Sequence, residues 1–338
     1  MAATLKQIAE LAGVSRGTVD RALYDRGRVA PEVAKRVKKI AADLNYQPHR
    51  AGRALALAKK PIKIGVVVQS VDTPFMQQVL QGIRKAKADL EDLGAQVFLR
   101  EIESVNTQHL ICGIDEMVKK GVGGLAILPT DDDVLREKLN SMDIPVVTFN
   151  SDIDQARRLC FVGLDGLRGG RTAAGLMNTL LCGRGRVLVM TGHVTSRGHN
   201  QRISGFTDEV GRSFPGIRLL DTQACNDNDE MARSITLHML RQYPDINGMY
   251  LAASGVDGVC RVLAEMGCKD RVKVIAYDVT EANKRNLQEG YLDFLLGQDS
   301  YAQGYRPSMI LFDYLFSGKK PESEHLYTDI VIKTKYNL

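Results

Sequence analysis

Residues 4–23 read TLKQIAELAGVSRGTVDRAL. Leu5, Ile8, Ala9 and Ala12 recur at helical spacing, and Gly13 then interrupts the pattern as a helix stop. Ser15 offers a hydroxyl to cap a second helix, whose inner face carries Val19 and Leu23. The connection between them, Leu11-Ala12-Gly13-Val14, is short enough to set consecutive helices at a steep angle. A third helix opens at Pro31, where a missing N–H costs nothing in the first turn. Val33, Val37, Ile40, Ala41 and Leu44 give it one apolar face, and Lys35, Arg36, Lys38 and Lys39 cover much of the rest. Three crossed helices of this kind close a small core. The second keeps a free outer face of Arg16, Gly17, Thr18, Asp20 and Arg21.

Charge points the same way. Residues 1–60 hold 13 Lys and Arg against 5 Asp and Glu, a surplus of eight positive charges. The other residues hold 32 against 35, so the whole-chain charge of +5 is a basic head on a mildly acidic body. That asymmetry fits an anionic partner for the head, nucleic acid first; a solvated basic surface is the bland alternative. Arginine suits base reading because its planar fork bonds both acceptors of guanine in the major groove. Threonine and the amides of a helix start suit phosphates. A small helical bundle used for protein contact shares the same bare pattern.

The match to known sequence is more specific than the pattern. With RVAPEVAKRVKKIAADLNYQPHRAGRALA (28–56), the opening stretch resembles the DNA-binding head of the LacI/GalR repressor family. Ile8 through Leu23 match IAxxAGVSxxTVSRxL, and Leu44-Asn45-Tyr46-Gln47-Pro48 with Leu55 match the ending LNYxPNxxARxL. The resemblance implies base reading at Arg16, Gly17 and Arg21, within a DNA-contacting set of Thr4, Ser15, Arg16, Gly17, Thr18, Arg21, Arg28, His49, Arg50, Arg53 and Leu55. Asp20 stands where serine is usual, Gly17 brings no side chain to readout, and His49 replaces a common Asn, so the operator sequence is this chain's own.

Residues 46–61 include Arg50, Arg53, Lys59 and Lys60 around Ala51–Ala58, a helix too short to persist alone and weakened by Gly52 at about 1 kcal/mol relative to Ala. A plain tether would account for the lysines. The resemblance implies instead a hinge helix in the minor groove, with Leu55 as the apolar wedge that kinks the duplex.

From Ile62 onward, short apolar runs alternate with amphipathic stretches. Ile62–Val68, Gln96–Leu99, Leu125–Leu128, Val146–Phe149, Val187–Met190, Met249–Leu251, Val272–Ala276 and Phe294–Leu296 read as buried strands. Phe75–Leu93, Thr107–Lys120, Gly170–Leu181, Gln201–Arg212, Met231–Gln242 and Val256–Met266 read as helices. Such alternation predicts parallel sheets covered on both faces, with ligands beyond the carboxyl ends of the strands. Those ends are polar: Gln69, Thr73 and Phe75 after Val68, Pro129-Thr130-Asp131 after Leu128, Asn150-Ser151-Asp152 after Phe149. The loop after Met190 supplies His193, Ser196, Arg197, His199 and Arg202, and Ser254, Asp278 and Gln298 follow later runs. Carboxylates, amides and a guanidinium beside an aromatic face suit a polyhydroxylated ring, although polar residues end strands in most α/β proteins.

The body in turn resembles the periplasmic sugar-binding fold that serves LacI/GalR regulators as effector domain, the ribose-binding branch above all, through IGVVVQSVDTPFMQQVLQGI, ILPTDDD, IPVVTFNSD, FVGLDGLRGG, VIAYD and LLGQ. Ligand contacts carried over fall on Gln69, Thr73, Phe75, Met76, Asn150, Ser151, Arg202, Asp278 and Gln298, with Ser254 beside a one-residue length difference. Asn150-Ser151 departs from that branch's Asp-Arg pair and Leu128 stands where Asn is common, so a changed ligand is expected.

The expected architecture is a small all-α helix-turn-helix head (1–46), a hinge (47–61) and a two-lobed α/β periplasmic-binding-protein-like domain with parallel sheets that also dimerises (62–338). The expected function is a transcriptional regulator, a repressor, binding a palindromic operator as a homodimer under control of a sugar or polyol. A transport solute-binding protein is the alternative, opposed by the basic head and by a start, MAATLKQIAELAGVS, without a signal-peptide core. A cytoplasmic location follows from that start and from six scattered cysteines (Cys112, Cys160, Cys182, Cys225, Cys260, Cys268) without a CxxC pair. No run reaches the ~18 apolar residues of a membrane span.

A sugar-processing enzyme is the third reading. Gly163, Gly166, Gly169 and Gly170 lack the Gly-Lys-Ser/Thr of a phosphate loop and the GxGxxG of a dinucleotide site. His193 and His199 lack the HxxxH spacing of a metal pair, and no GxSxG elbow is present. No catalytic role, metal or cofactor is therefore expected.

Overall fold

The computed structural model describes residues 4–23, 29–44 and 61–338. The head holds α1 (Leu5–Ala12), α2 (Arg16–Leu23) and α3 (Pro31–Asp43). Thr4 starts α1 in a capping box: its hydroxyl accepts the Gln7 N–H, and the Gln7 side chain accepts the Thr4 N–H at 2.9 Å. Such a cap stabilises by about 1 kcal/mol. Gly13 ends α1 at φ 63°, a left-handed turn that a Cβ disfavours. Ser15 opens α2 by accepting the Thr18 N–H at 3.1 Å. Ile8, Ala9, Ala12, Val19, Ala22, Val37 and Ala41 form the shared core. Leu44, expected on the inner face of α3, lies past its last turn and is exposed, because the helix ends at Asp43.

The body is two lobes, each a sheet between helices. The first sheet runs β12 (His325–Thr328), β5 (Cys160–Leu164), β4 (Val146–Phe149), β3 (Gly124–Ile127), β1 (Lys63–Val68), β2 (Gln96–Glu101), all parallel. The second runs β13 (Val331–Lys333), β11 (Phe294–Gly297), β10 (Lys273–Tyr277), β9 (Gly248–Leu251), β6 (Gly185–Thr191), β7 (Ile217–Leu219), with β8 (Gln223–Ala224) also on β6. Only β13 departs from the expected parallel order, running antiparallel to β11. The central strands are buried along their length, as a sheet covered on both faces requires.

Helices α4 (Pro74–Glu91), α5 (Thr107–Lys119) and α6 (Asp133–Asn140) cover the first lobe. Helices α7 (Gly166–Leu180), α8 (Arg197–Ser213), α9 (Asp229–Gln242), α10 (Val256–Glu265) and α11 (Glu281–Gln288) belong to the second, and α12 (Ser300–Ser317) returns to pack along α4. The chain therefore crosses between lobes three times: after β5, after β11 and between β12 and β13. Two helices start four residues earlier than periodicity indicates, at Gly166 and at Arg197. In both, a side chain caps an otherwise weak first turn: Asp165 accepts the Arg168 N–H at 3.0 Å, and Ser196 accepts the His199 N–H at 3.4 Å. Arg197 and His199, read as part of the preceding loop, are thus on α8 with Arg202.

Candidate functional site

Between the lobes lies a cleft, lined from both sheets by residues that follow strand ends. Gln69 follows β1, Asn150 and Ser151 follow β4, Asp278 follows β10 and Gln298 follows β11. Phe75 and Met76, in the first turn of α4, supply an apolar wall.

One hydrogen-bond chain organises the second-lobe wall. Arg202 donates to the Ala252 carbonyl at 2.9 Å and to Gln298 Oε1 at 2.8 Å, with its guanidinium 4.1 Å from the Tyr277 ring centre. Gln298 Nε2 donates to Asp278 Oδ1 at 2.6 Å. Gln303, at the start of α12, donates to the Gln298 carbonyl at 2.7 Å and accepts from Asn150 of the first lobe at 3.0 Å. Asp278 is buried, which pushes its carboxyl above the usual range, while the charge of Arg202 and the Gln298 donor pull it back. Its backbone is held in the left-handed region (φ 73°) by Asn283, which donates to the Tyr277 and Asp278 carbonyls at 3.0 and 2.9 Å. Asn150 has a similar φ of 63°. Two non-glycine residues held there on opposing walls mark a site whose surroundings over-determine it.

Several polar atoms of the cleft are buried without a partner in the described chain: Gln69 Oε1, Ser151 Oγ, Arg202 Nε and His199 Nδ1. An unsatisfied buried polar atom costs about 1–3 kcal/mol, so a bound ring with hydroxyls on its rim recovers that cost. The lobes meet across the mouth. Asp131 N–H donates to the Thr195 carbonyl at 3.2 Å, Arg197 contacts Asp154 at 2.5 Å, and Gln78 donates to the Val279 carbonyl at 3.0 Å.

On the head, α2 presents Arg16, Gly17 and Arg21 exposed and Thr18 half-buried, while Val19 and Ala22 face inward. Lys35, Arg36, Lys38 and Lys39 are exposed on α3. A short helix with two free arginines on its outer face, braced by two others, has the form that enters a major groove.

Residues 4–49 match the family described as bacterial regulatory proteins, lacI family, and residues 64–320 match the periplasmic binding protein domain. The chain joins a head that matches the lacI family of regulators to a body that belongs to the periplasmic binding protein domain family. The lactose operon repressor of Escherichia coli is 26% identical over 82% of this chain and 76% of that one. The ribose operon repressor of Bacillus subtilis is 24% identical over 82% and 81%. A glucose-galactose binding protein of Geobacillus stearothermophilus shares the body's fold, with a TM-score of 0.76 at 22% identity over 82% of this chain and 99% of that one.

In this periplasmic-binding-protein body, all ten residues assigned to effector binding from sequence (Gln69, Thr73, Phe75, Met76, Asn150, Ser151, Arg202, Ser254, Asp278, Gln298) line the same cleft. Besides the four joined in the hydrogen-bond chain, three are engaged within the protein: Gln69 Nε2 donates to the Leu128 carbonyl at 3.4 Å, the Thr73 hydroxyl accepts the Met76 N–H at 3.3 Å to start α4, and the Ser254 N–H donates to Asp227 at 3.0 Å. Of the DNA-contacting set, Thr4, Ser15, Arg16, Gly17, Thr18 and Arg21 are on the head surface, Thr4 and Ser15 also as caps. Arg28, His49, Arg50, Arg53 and Leu55, with the hinge, lie outside the described residues. Sequence reading placed Thr130, His193 and His199 at the polar strand ends without carrying a ligand contact onto them, and did not single out Asp227; all four line the cleft. Asp227 follows β8, whose two residues leave no periodic trace, and its signal was only the polar Asn226-Asp227-Asn228 run.

Proposed function

We propose how this DNA-binding, sugar-responsive transcriptional regulator works. Two copies pair through the body and set two α2 helices into successive major grooves of a palindromic operator, since one head reads only a half-site. Residues 47–61 order as a hinge on DNA, with Leu55 as the wedge. A neutral ring such as a sugar or polyol binds the cleft, and closure about the three crossovers changes the spacing of the two heads. The chain acts in the cytoplasm, as a repressor, and binds its effector without turnover.

The observation that supports this most is the pairing of one basic, outward-facing α2 with a cleft whose buried polar atoms lack partners. A transport solute-binding protein has use for the second and none for the first. Among the described residues, no helix is long and apolar enough to cross a membrane.

The test is enrichment of duplexes from random-sequence DNA by the full chain, followed by affinity against salt. The enriched sequence should be two-fold symmetric, and log K should fall linearly with log salt, by about 0.9 for each phosphate neutralised. No enrichment, or a nearly flat salt response, contradicts the reading.

A further inference from the structure

The charges of the cleft restrict what fits it. Among the described residues lining it, the only fixed cation is Arg202, whose two terminal nitrogens are engaged with Ala252 and Gln298 and whose Nε is left without a partner. Two carboxylates, Asp227 and Asp278, line the same space. His199 does not add a positive charge at neutral pH, because burial pushes it down to about 4 against the opposing pull of Asp227.

Asp227 stands in a cluster of its own. Its Oδ1 accepts the Ser254 N–H at 3.0 Å, and its Oδ2 lies 3.9 Å from His193 Nε2, beyond hydrogen-bond reach. That second oxygen is available for a ligand donor. The space also continues past Asp227 and Asp278 into a recess that Asp229 and Asp257 help to line. There Asp229 accepts the Gly258 N–H and Asp257 accepts from Asn286, so both are held as acceptors. Across the cleft, the buried and unpartnered Ser151 Oγ and Gln69 Oε1 offer a hydroxyl and a carbonyl oxygen, and no charge.

Resting on the reading of this cleft as a polyol site, we propose that it selects its effector by charge: neutral or amine-bearing polyols enter, phosphorylated and carboxylated ones are excluded, and Asp227 is the discriminating residue. Hydroxyl and ammonium groups donate to the carboxylates that line the cleft. A phosphate or carboxylate on the ligand meets those two carboxylates, while the one guanidinium beside them, Arg202, offers a single unpartnered Nε and already has its charge set against Asp278; like charges brought together at close range are strongly disfavoured.

The experiment titrates the full chain by calorimetry with matched sets on three scaffolds: glucose, glucosamine, glucuronate and glucose 6-phosphate; ribose and ribose 5-phosphate; myo-inositol and its monophosphate. On whichever scaffold binds, neutral and amine members should bind at least about tenfold more tightly than anionic ones. Asp227→Asn, which keeps an oxygen for the Ser254 amide, should shrink that ratio toward one by strengthening the anionic members. An anionic member that binds as tightly as its neutral parent, or a ratio unmoved in Asp227→Asn, overturns the charge selection and leaves the polyol reading standing. If nothing binds on any scaffold in any charge state, the polyol reading falls and the proposal with it.

Discussion

Arg202→Ala should cost this protein about 2–6 kcal/mol of stability and abolish effector binding, because it orphans two buried acceptors at about 1–3 kcal/mol each. Three groups lose their donor or counter-charge at once: the Ala252 carbonyl, the Gln298 amide oxygen and the nearby Asp278 carboxyl. The Tyr277 ring also loses the guanidinium stacked on it. The pH dependence has a definite sign. Burial already raises the Asp278 carboxyl and Arg202 holds it down, so the variant's carboxyl rises further. A raised native pKa favours the protonated folded form, a contribution present at low pH and lost as pH rises through the native value. The deficit against the parent protein should therefore be smaller at about pH 5 than at about pH 8 in urea unfolding. An equal deficit at both would mean that Asp278 does not depend on Arg202.

The second large effect is expected from Gly170→Ala, which adds a single methyl group. In α7 a Cβ at this position lies 2.6 Å from the Phe206 amide nitrogen and closer still to the Arg202 carbonyl oxygen, both backbone atoms of α8. Backbone has nowhere to retreat, so the helices must separate, at about 1–3 kcal/mol for an overpacked contact. The displaced segment is the turn that carries Arg202, so effector affinity should fall together with stability. Gly82→Ala is the control. It crowds the Tyr305 amide nitrogen at 2.9 Å, between α4 and α12, in the lobe without Arg202. It should destabilise comparably and leave effector affinity within a few-fold at temperatures where the protein is folded. Loss of affinity in both variants alike would detach the α7–α8 contact from the site.

The fold was legible wherever a strand was long and apolar. Ile62–Val68 and Val187–Met190 announce themselves by composition, and so do the polar residues just beyond them that reach the cleft. Legibility failed where local signals conflict with the structure they serve. The start of α7 is written with Gly166, Gly169 and Gly170, poor helix formers, because α8 passes too close to the first and third for side chains and the Tyr277 hydroxyl too close to the second. Helix α12 carries Pro307 inside it and was not singled out, although it is the element that returns the chain to the first lobe. Asp227 was invisible for a related reason: the two-residue β8 that delivers it is defined by pairing with β6, a long-range fact. Resemblance located Arg202, Asp278 and Gln298, whereas the hydrogen-bond chain joining them to Gln303 and Asn150 appears only in three dimensions.

The central claim is that occupancy of the cleft controls the head's grip on DNA. Its most direct measurement is the affinity of the full chain for its enriched duplex, with and without a saturating polyol shown by calorimetry to bind, in the parent protein and in Asp278→Ala. Loss of the Asp278 carboxylate should weaken the polyol by about 1–3 kcal/mol, roughly 5- to 150-fold. In the parent, the polyol should change duplex affinity by about 1–3 kcal/mol, and the duplex should change polyol affinity by the same factor. Asp278→Ala, at a polyol concentration that saturates only the parent, should bind the duplex as the unliganded parent does. Duplex affinity that stays the same while the parent's cleft is full would contradict the account.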